Sequence, residues 1–269
     1  MTMPIDLVFV RHGQSEGNVV IKKLEEQGLP VPPEYYAKHT VHWRLTSKGV
    51  EQAQIAGQWL RKNLPDFKYF RHYVSDYVRA KETAGHLALP DAQWLINFFI
   101  GERNWGILDR YAAEERFAKF ETDFQAKTIH PFYWTPPRGE SMVDLCLRLD
   151  KVLGTLYREC ADKKVILVCH GEVMWGFRVI LERMTPDKFV KLDKSKNPKH
   201  RIHNCQILHY TRKNPRTGKV EPYFGWFKSV CPTDTSLSIN RWQAIKRPKF
   251  SNEELLAFAE KYPRIVDNV

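Results

Sequence analysis

The sequence lacks a cysteine framework, a long apolar run and a recognisable targeting segment. Its 269 residues include only five cysteines, and no two of them form a Cys-x-x-Cys pair. An odd number of scattered cysteines argues against a disulfide scaffold and a zinc cluster, and it favours reduced thiols. No stretch approaches the roughly twenty apolar residues that a membrane span requires. Because the first residues also lack a basic region and a small-residue cleavage site, we expect a cytoplasmic protein with no membrane partner.

Acidic residues are scarce in one part of the chain. Residues 191–250 contain 14 Lys or Arg against three acidic residues, and this difference equals the whole net charge of +11. We call residues 191–250 the basic sector. Such a sector favours an anionic partner, which we expect to be a phosphorylated small molecule or a phosphoprotein in preference to nucleic acid. A solvated basic face that keeps the protein soluble explains the composition equally well.

Short apolar runs alternate with helical patterns along most of the chain. Residues 7–10 and 165–169 are continuous apolar runs followed by glycine-containing motifs, which is typical of buried strands in a parallel sheet. The pattern predicts further helices and strands: helices over 47–63, 77–87 and 141–160, and strands over 73–75 and 94–100. This alternation predicts a single α/β domain over residues 1–269, with three layers, a mostly parallel central sheet and helices on both faces.

Two segments depart from this alternation. Residues 28–43 are rich in proline and aromatic residues and predict an irregular surface insert near the first strand. Residues 211–269 form a basic C-terminal extension, with a predicted hairpin turn at 214–218 and an amphipathic end at 252–261. The aromatic residues at 223–227 predict core or hairpin packing rather than a stacking platform for bases.

Both apolar runs lead into a His-Gly pair, His12-Gly13 and His170-Gly171. Ligands of parallel α/β sheets bind at the carboxyl ends of the strands, where helix N-termini point backbone N–H groups outward. A single such pair is weak evidence, since a hydrogen-bonded structural histidine explains it. Two pairs, the first preceded by Arg11, predict a binding site for an anion.

Further motifs follow the first His-Gly pair in a specific order. The motifs are Arg11-His-Gly-Gln-Ser-Glu-Gly-Asn18, Leu45-Thr46 with Gly49 and Gln52-Ala53, Ser75-Asp-Tyr-Val-Arg79-Ala80, Gly101-Glu-Arg-Asn-Trp-Gly106, Gly139-Glu-Ser141 and Val168-Cys-His170-Gly171. In content and order they resemble the histidine phosphatase superfamily, in its phosphoglycerate mutase-like branch. The resemblance runs from residue 5 to residue 180, about two thirds of the chain.

The resemblance implies roles for individual side chains. His12 is expected to be the nucleophile that accepts a phosphoryl group, and Glu102 the general acid that protonates the leaving oxygen. Four residues are expected to bind the phosphate and two to bind the rest of the substrate: Arg11, Asn18, Arg79 and His170, then Ser15 and Arg103. A neutral imidazole suits this chemistry, because a dianionic phosphate monoester repels an anionic nucleophile. We expect no cofactor and no metal ion.

Several of the singled-out residues also have ordinary structural explanations. Considered without the resemblance, Glu102 is expected to be a solvated loop carboxylate, as most carboxylates are, or a partner for Arg103. His39 with His42, and His200 with His203, have a spacing of three residues that can suit a metal ion. Because no cluster of further ligands accompanies either pair, we expect neither to form a metal site.

Departures from the mutase pattern decide between a phosphatase and a mutase. Mutases of this family usually follow the late His-Gly with Asn-Ser, whereas this chain has Glu172-Val173. The segment Ile202-His-Asn-Cys205 resembles phosphatase members, and the 28–43 insert replaces what mutases use near the first phosphate. We therefore expect a metal-independent phosphatase that hydrolyses a phosphate monoester through a phosphohistidine intermediate. The alternatives are a phosphoglycerate-type phosphomutase, and a nucleic-acid or phospho-ligand binding protein that uses the basic sector.

Overall fold

The computed structural model describes residues 2–20, 33–64, 68–111 and 113–266. Its strands are β1 (Asp6–Arg11), β2 (Arg71–Val74), β3 (Trp94–Ile96), β4 (Lys164–Cys169), β5 (Ile207–Thr211), β6 (Trp226–Val230) and β7 (Ile239–Ala244). They form one sheet in the order β3-β2-β4-β1-β5-β6-β7. The first four in that order are parallel, and β5, β6 and β7 are each antiparallel to the preceding neighbour. The predicted mixed α/β fold with a mostly parallel central sheet is confirmed.

Helices connect and cover these strands. The described helices are α1 (Pro33–Ala37), α2 (Ser47–Asn63), α3 (Val78–His86), α4 (Ala113–Lys119), α5 (Glu121–Ile129), α6 (Met142–Glu159), α7 (Gly171–Glu182), α8 (Pro186–Asp193) and α9 (Asn252–Ala259). Residues 16–20 are helical as well.

The central strands send alternate side chains into two hydrophobic cores. Leu7 and Phe9 of β1 pack with residues of α6 and α7 on one face of the sheet. Val8 and Val10 pack with residues of α2 and α3 on the other face. Each fully buried side chain of this kind contributes about 1.5–3 kcal/mol to folding. Because β1 is buried on both faces, its sequence is a continuous apolar run. The sheet and the helices on its two faces form the predicted three layers.

Local capping explains where two of the predicted helices begin. α2 spans the predicted residues 47–63, and the Thr46 hydroxyl before it accepts a hydrogen bond from the Gly49 N–H. At the start of α6, the Ser141 hydroxyl accepts from the Asp144 N–H while the Asp144 carboxylate accepts from the Ser141 N–H. This reciprocal capping satisfies N–H groups that have no partner within the helix, as the spacing of the two residues predicts.

The strand predicted over 94–100 is only half correct. β3 ends at Ile96, and residues Phe98–Ile100 form a 3-10 helix. The side chain of Asn97 accepts a hydrogen bond from the Phe99 N–H. Such a local side-chain bond competes with the sheet ladder and ends the strand.

The insert over 28–43 is more regular than predicted. Its residues 28–32 lie outside the described part of the chain. Its described part contains α1 and a 3-10 helix, Thr40–His42, which begins where the His39 ring accepts from the Val41 N–H. These two short helical elements were not predicted from the composition of the insert.

The C-terminal extension contributes to the central sheet. Its strands β6 and β7 extend the sheet beyond β5. The predicted turn is present, with the Gly218 N–H donating to the Asn214 carbonyl at 2.8 Å. In the 223–227 segment, Phe224 and Phe227 are buried and Trp226 is partly buried, but Tyr223 is exposed, contrary to the predicted core packing. Every side chain of α9 is exposed.

All five cysteines are free thiols, as the spacing predicts. Four of them are buried: Cys160, Cys169, Cys205 and Cys231. Burial raises the pKa of the partly buried fifth thiol, Cys146, to about 11, which makes it a poor nucleophile. Of the helices in the described ranges, none has both the length and the apolar character needed to cross a membrane.

Candidate active site

The register of the sheet brings the two motif histidines together. β1 and β4 are parallel neighbours, with Arg11 opposite Cys169 at their carboxyl ends. The next residues along the two strands are His12 and His170, and their rings lie 5.2 Å apart. The ladder continues to this point, since the His12 N–H donates to the Cys169 carbonyl at 2.9 Å.

The loop that follows His12 lies directly against α2. A Cβ atom at Gly13 would lie 2.3 Å from the carbonyl oxygen of Gly49, closer than atoms can approach. The Gly13 N–H donates to the hydroxyl of Thr83 at 3.0 Å, which ties the loop to α3. Glycine is therefore required at position 13 by this close approach, which fixes the backbone on which His12 sits.

The hydrogen bonds of His12 determine its tautomer. Its Nδ1 lies 2.7 Å from the Gly13 carbonyl oxygen, which can only accept, so Nδ1 carries the proton. Its Nε2 lies 3.2 Å from Nε of Arg79, which can only donate, so Nε2 carries a lone pair. Burial, together with Arg79 and then Arg11, lowers the pKa of His12 well below its ordinary value. The imidazole is therefore neutral, with its basic nitrogen facing Arg79.

The two motif arginines are held by main-chain carbonyls. Arg79, at the start of α3, donates from one guanidinium nitrogen to the Thr40 carbonyl at 2.8 Å. Arg11 donates to the Ile202 carbonyl at 2.7 Å, while its Nε is shielded from solvent and has no acceptor in the described structure. A carbonyl fixes the guanidinium without neutralising it. Both groups therefore keep positive charge beside His12.

His170 is held by a serine from the neighbouring strand end. Its Nε2 lies 2.8 Å from the hydroxyl of Ser75, which follows β2. Its Nδ1 is buried, has no hydrogen-bond partner in the described residues, and lies 3.9 Å from a carboxylate oxygen of Glu102. Burial and the nearby Arg79 lower the pKa of His170 well below its ordinary value. The ring is therefore neutral and has one nitrogen available to a ligand.

The carboxyl group of Glu102 lies at the rim of this cluster. Burial, followed by repulsion from the carboxylate of Glu172, raises the pKa of Glu102 to about 7, although Arg79 and Arg11 act in the opposite direction. A carboxyl group with this pKa exchanges a proton readily near neutral pH.

Asn18 and Ser15 lie on the other side of His12. The Asn18 side-chain oxygen accepts from the Ser15 N–H and from the side chain of Asn204, both at 3.2 Å. Because this oxygen is used within the protein, the amide N–H group of Asn18 is the one that can reach a phosphoryl oxygen. Asn204 also donates to the His12 carbonyl at 3.1 Å, and thereby joins the late segment to the first loop.

Arg103 occupies a different position from the other predicted site residues. Its guanidinium donates to the Glu140 carbonyl at 2.7 Å and to the Glu172 carboxylate at 3.1 Å. The other Glu172 oxygen accepts from the indole N–H of Trp105 at 2.7 Å. Arg103 thus holds Glu172 and Trp105 in place with donors that are already used, and contact between Arg103 and a substrate stays a prediction.

These side chains line a cavity of about 260 Å³, which we call the inner cavity. All eight predicted catalytic and binding residues belong to this cluster. His170 does not line the cavity, but its ring lies 5.2 Å from that of His12. The other seven line it: Arg11, His12, Ser15, Asn18, Arg79, Glu102 and Arg103. A cleft of about 690 Å³, the outer cleft, adjoins it and shares Thr40, Trp43, Tyr77 and Asp109 with it. The described part of the insert, including a stacked Tyr35–Trp43 pair, forms one wall of the outer cleft.

Several residues of this site were not predicted from the sequence. Ser75 begins the motif that contains Arg79, and Asn204 lies in the segment Ile202-His-Asn-Cys205, so both stood in motifs that could have pointed to them. The carbonyl of Thr40 could not be found from the sequence, because any residue supplies a carbonyl. Glu172 was noted only as a departure from the mutase pattern.

The ligand atoms of His12, Glu102 and His170 lie within 4.8 Å of one another, close enough to share a metal ion. The surroundings do not fit a cation, because Arg11 and Arg79 place two positive charges at the same point and Arg79 donates into the lone pair of His12. The chemistry of this donor set suits an anion with several acceptor oxygens.

Comparisons with known proteins agree with this geometry. A model of the histidine phosphatase superfamily (branch 1) matches residues 7–217. Among curated proteins, a 2,3-bisphosphoglycerate-dependent phosphoglycerate mutase of Bartonella bacilliformis is 30% identical over 196 residues, which are 68% of this chain and 84% of that protein.

Solved structures of phosphatases share the fold. A mycobacterial glucosyl-3-phosphoglycerate phosphatase, solved with VO3, matches with a TM-score of 0.60 and 21% identity, over 77% of this chain and 92% of that one. A phosphoserine phosphatase of Entamoeba histolytica matches with a TM-score of 0.57 and 18% identity, over 77% and 90% of the two chains. With the family model matching most of its length, the chain belongs to the histidine phosphatase superfamily.

Proposed function

We propose that this protein hydrolyses a phosphate monoester through a phosphohistidine formed at Nε2 of His12. In the first step Nε2 attacks phosphorus, the ester P–O bond breaks, and the leaving oxygen takes the proton of Glu102. In the second step the Glu102 carboxylate takes a proton from water, the water oxygen attacks phosphorus, and the P–N bond breaks. Orthophosphate leaves, and Glu102 is protonated again. Arg11 and Arg79 donate to the phosphoryl oxygens in both steps.

One observation carries this proposal: the lone pair of His12 Nε2 faces the guanidinium group of Arg79, Arg11 adds positive charge nearby, and a carboxyl group with a pKa of about 7 lies at the rim. An incoming phosphate monoester replaces the Arg79–His12 contact with phosphoryl contacts, which places phosphorus at the nucleophile. Glu102 is protonated in a large fraction of molecules at neutral pH and is therefore able to supply the proton for the leaving oxygen.

The outer cleft supports hydrolysis rather than transfer between two positions of one small substrate. Its volume of about 690 Å³ leaves room for the organic part of an ester and for water beside the inner cavity. A mutase has to keep water away from its phosphohistidine. We therefore propose a phosphorylated small molecule whose organic part lies in the outer cleft.

A panel of phosphate esters, assayed for orthophosphate release without added metal, tests the proposal. The panel contains sugar phosphates, phosphoglycerates, nucleotides and phosphopeptides. We expect at least one class to be hydrolysed with saturation kinetics. Release of orthophosphate from none of them would contradict the proposal.

A phosphomutase is the second candidate, because the relative from Bartonella bacilliformis carries that name. The discriminating assay supplies 3-phosphoglycerate with a small amount of 2,3-bisphosphoglycerate, and follows isomerisation and orthophosphate release together. We expect orthophosphate release to exceed isomerisation. The reverse ratio would favour the mutase.

The pH dependence of catalysis should follow Glu102. As the pH rises through about 7, Glu102 loses the proton that the leaving oxygen needs, so kcat/KM should fall on the alkaline side. Glu172→Gln removes the neighbouring negative charge, which lowers the pKa of Glu102 and should move this alkaline limb to lower pH. The measurement is kcat/KM against pH for an alkyl phosphate.

Two controls accompany this pH profile. Glu51→Gln removes an exposed charge of α2 and should leave the profile unchanged. Glu102→Gln should lower kcat/KM for an alkyl phosphate by about 10²–10⁴-fold, and kcat/KM for p-nitrophenyl phosphate far less, because kcat/KM reports the first transfer and nitrophenolate leaves there without a proton. Equal effects on both esters, with an unmoved limb in Glu172→Gln, would remove Glu102 from the role of acid.

Chelation should leave the rate unchanged. Arg11 and Arg79 supply the positive charge that a divalent ion would otherwise bring to the phosphoryl group. The measurement is turnover before and after dialysis against EDTA. Loss of most activity, followed by recovery with a divalent ion, would show that the arginines alone are insufficient.

A further inference from the structure

A second cavity, of about 340 Å³, lies within the basic sector and its neighbours. It is bordered by the end of α7, by α8, and by strands β5, β6 and β7. None of its lining residues lines the inner cavity or the outer cleft. The two sites are nevertheless adjacent, because Ile202 lines this cavity while its carbonyl accepts from Arg11. We call it the basic cavity.

Positive side chains dominate the wall of the basic cavity. Its one carboxylate, Glu182, is already bound by Arg178 at 2.9 Å and by the hydroxyl of Tyr210 at 2.9 Å. Four further cations line the cavity and form no ion pair within the described ranges: Lys188, Lys199, Arg201 and Lys246. These four charges on one concave surface repel one another, and an anion relieves that repulsion.

The floor of the basic cavity is apolar. Ile202, Leu208 and Phe227 line it and are almost fully buried. Gln243 also lines it, and its side-chain nitrogen is shielded from solvent without an acceptor in the described structure. A buried donor without an acceptor destabilises the protein, and an oxygen of a ligand would satisfy it. The cavity thus combines an apolar floor, an unused donor and a cationic rim.

We propose that the basic cavity binds an organic phosphate, whose apolar part contacts the floor while its phosphoryl group meets Lys199, Arg201 and their cationic neighbours. The volume of the cavity fits a small molecule and excludes a nucleic-acid duplex. Three cations of the basic sector, Lys199, Arg201 and Lys246, thus line a site that is separate from the inner cavity. This ligand is different from the substrate and independent of any turnover.

Calorimetric titration with phenylphosphonate tests this proposal, because the compound joins an apolar ring to a dianion that no phosphatase hydrolyses. The titration uses Arg79→Ala protein, in which the inner cavity has lost a principal anion donor. We expect binding of one phenylphosphonate per chain. Adding Lys199→Gln and Arg201→Gln should weaken that binding at least about tenfold, since two charged contacts are lost.

The matched control comes from the same segment. Lys194→Gln and Lys196→Gln remove the same charge from exposed positions that do not line the basic cavity. In the Arg79→Ala background this pair should change the affinity by less than about twofold, as charges away from a contact do in screened solution. In the wild-type background, the control pair should bind two phenylphosphonates and the cavity pair one.

Three results would overturn the proposal. The first is no binding to folded Arg79→Ala protein together with a single site in wild type. The second is an equal loss of affinity in the cavity pair and the control pair, which is the behaviour of a diffuse basic surface. The third is orthophosphate, or a single-stranded oligonucleotide, binding as tightly as phenylphosphonate, because neither uses the apolar floor. Failure of the hydrolysis panel would leave this titration unaffected.

Discussion

Replacing His12 by alanine should lower turnover by about a thousandfold or more, because the group that carries the phosphoryl intermediate is lost. The side chain is almost fully buried, and its contacts are to Arg79 and to the carbonyl of its own neighbour, so its removal leaves the core layers intact. The measurement is kcat on the best ester of the panel, together with a thermal melt. We expect a folded protein without turnover.

The control for this variant is His130→Ala. His130 is exposed at the end of α5 and does not line the inner cavity or the outer cleft. It should keep wild-type turnover. Comparable turnover in His12→Ala and His130→Ala would mean that His12 does not carry the phosphoryl group.

Arg79→Lys should lower kcat/KM by about a hundredfold, as does loss of one donor to a transition state in other enzymes. Lysine keeps the charge but loses the planar fork, so it cannot contact the Thr40 carbonyl and two phosphoryl oxygens at once. The measurement is steady-state kinetics with a thermal melt, and we expect a melting temperature near that of the wild type.

Arg61→Lys is the matched control for Arg79→Lys. Arg61 also donates its guanidinium to main-chain carbonyls, those of Leu87 and Ala88, but it lies on the outer part of α2 away from the cavity. It should keep full activity. An Arg79→Lys variant that is as active as Arg61→Lys, or that is inactive only because it is unfolded, would remove the support for this role.

Local periodicity predicted the parts of the fold that depend on it. β1 and β4 are buried on both faces and read as continuous apolar runs, and α2 was predicted with its observed bounds because its cap and its apolar stripe agree. β3 was predicted too long because apolar residues continue through 98–100, although the side chain of Asn97 ends the strand. Short elements in the insert were missed because few residues encode them.

The sequence also predicted which side chains meet at the site, but not how they are held. The histidines follow parallel neighbouring strands, so their meeting follows from the fold. Carbonyls that orient Arg11 and Arg79 belong to Ile202 and Thr40, and a carbonyl leaves no trace in the sequence. The repulsion by Glu172 depends on tertiary placement and could not be predicted.

The most direct test of the account is to trap the phosphorylated protein during turnover and to locate the phosphoryl group. Protein mixed with its best ester is quenched in base, since phosphohistidine is labile to acid, and is digested for tandem mass spectrometry. We expect a phosphoryl group on Nε2 of His12, which forms and is lost at rates no slower than steady-state turnover. It should be absent from His12→Ala. A phosphoryl group on another residue, or turnover with no phosphorylated protein even under rapid quenching, would contradict it.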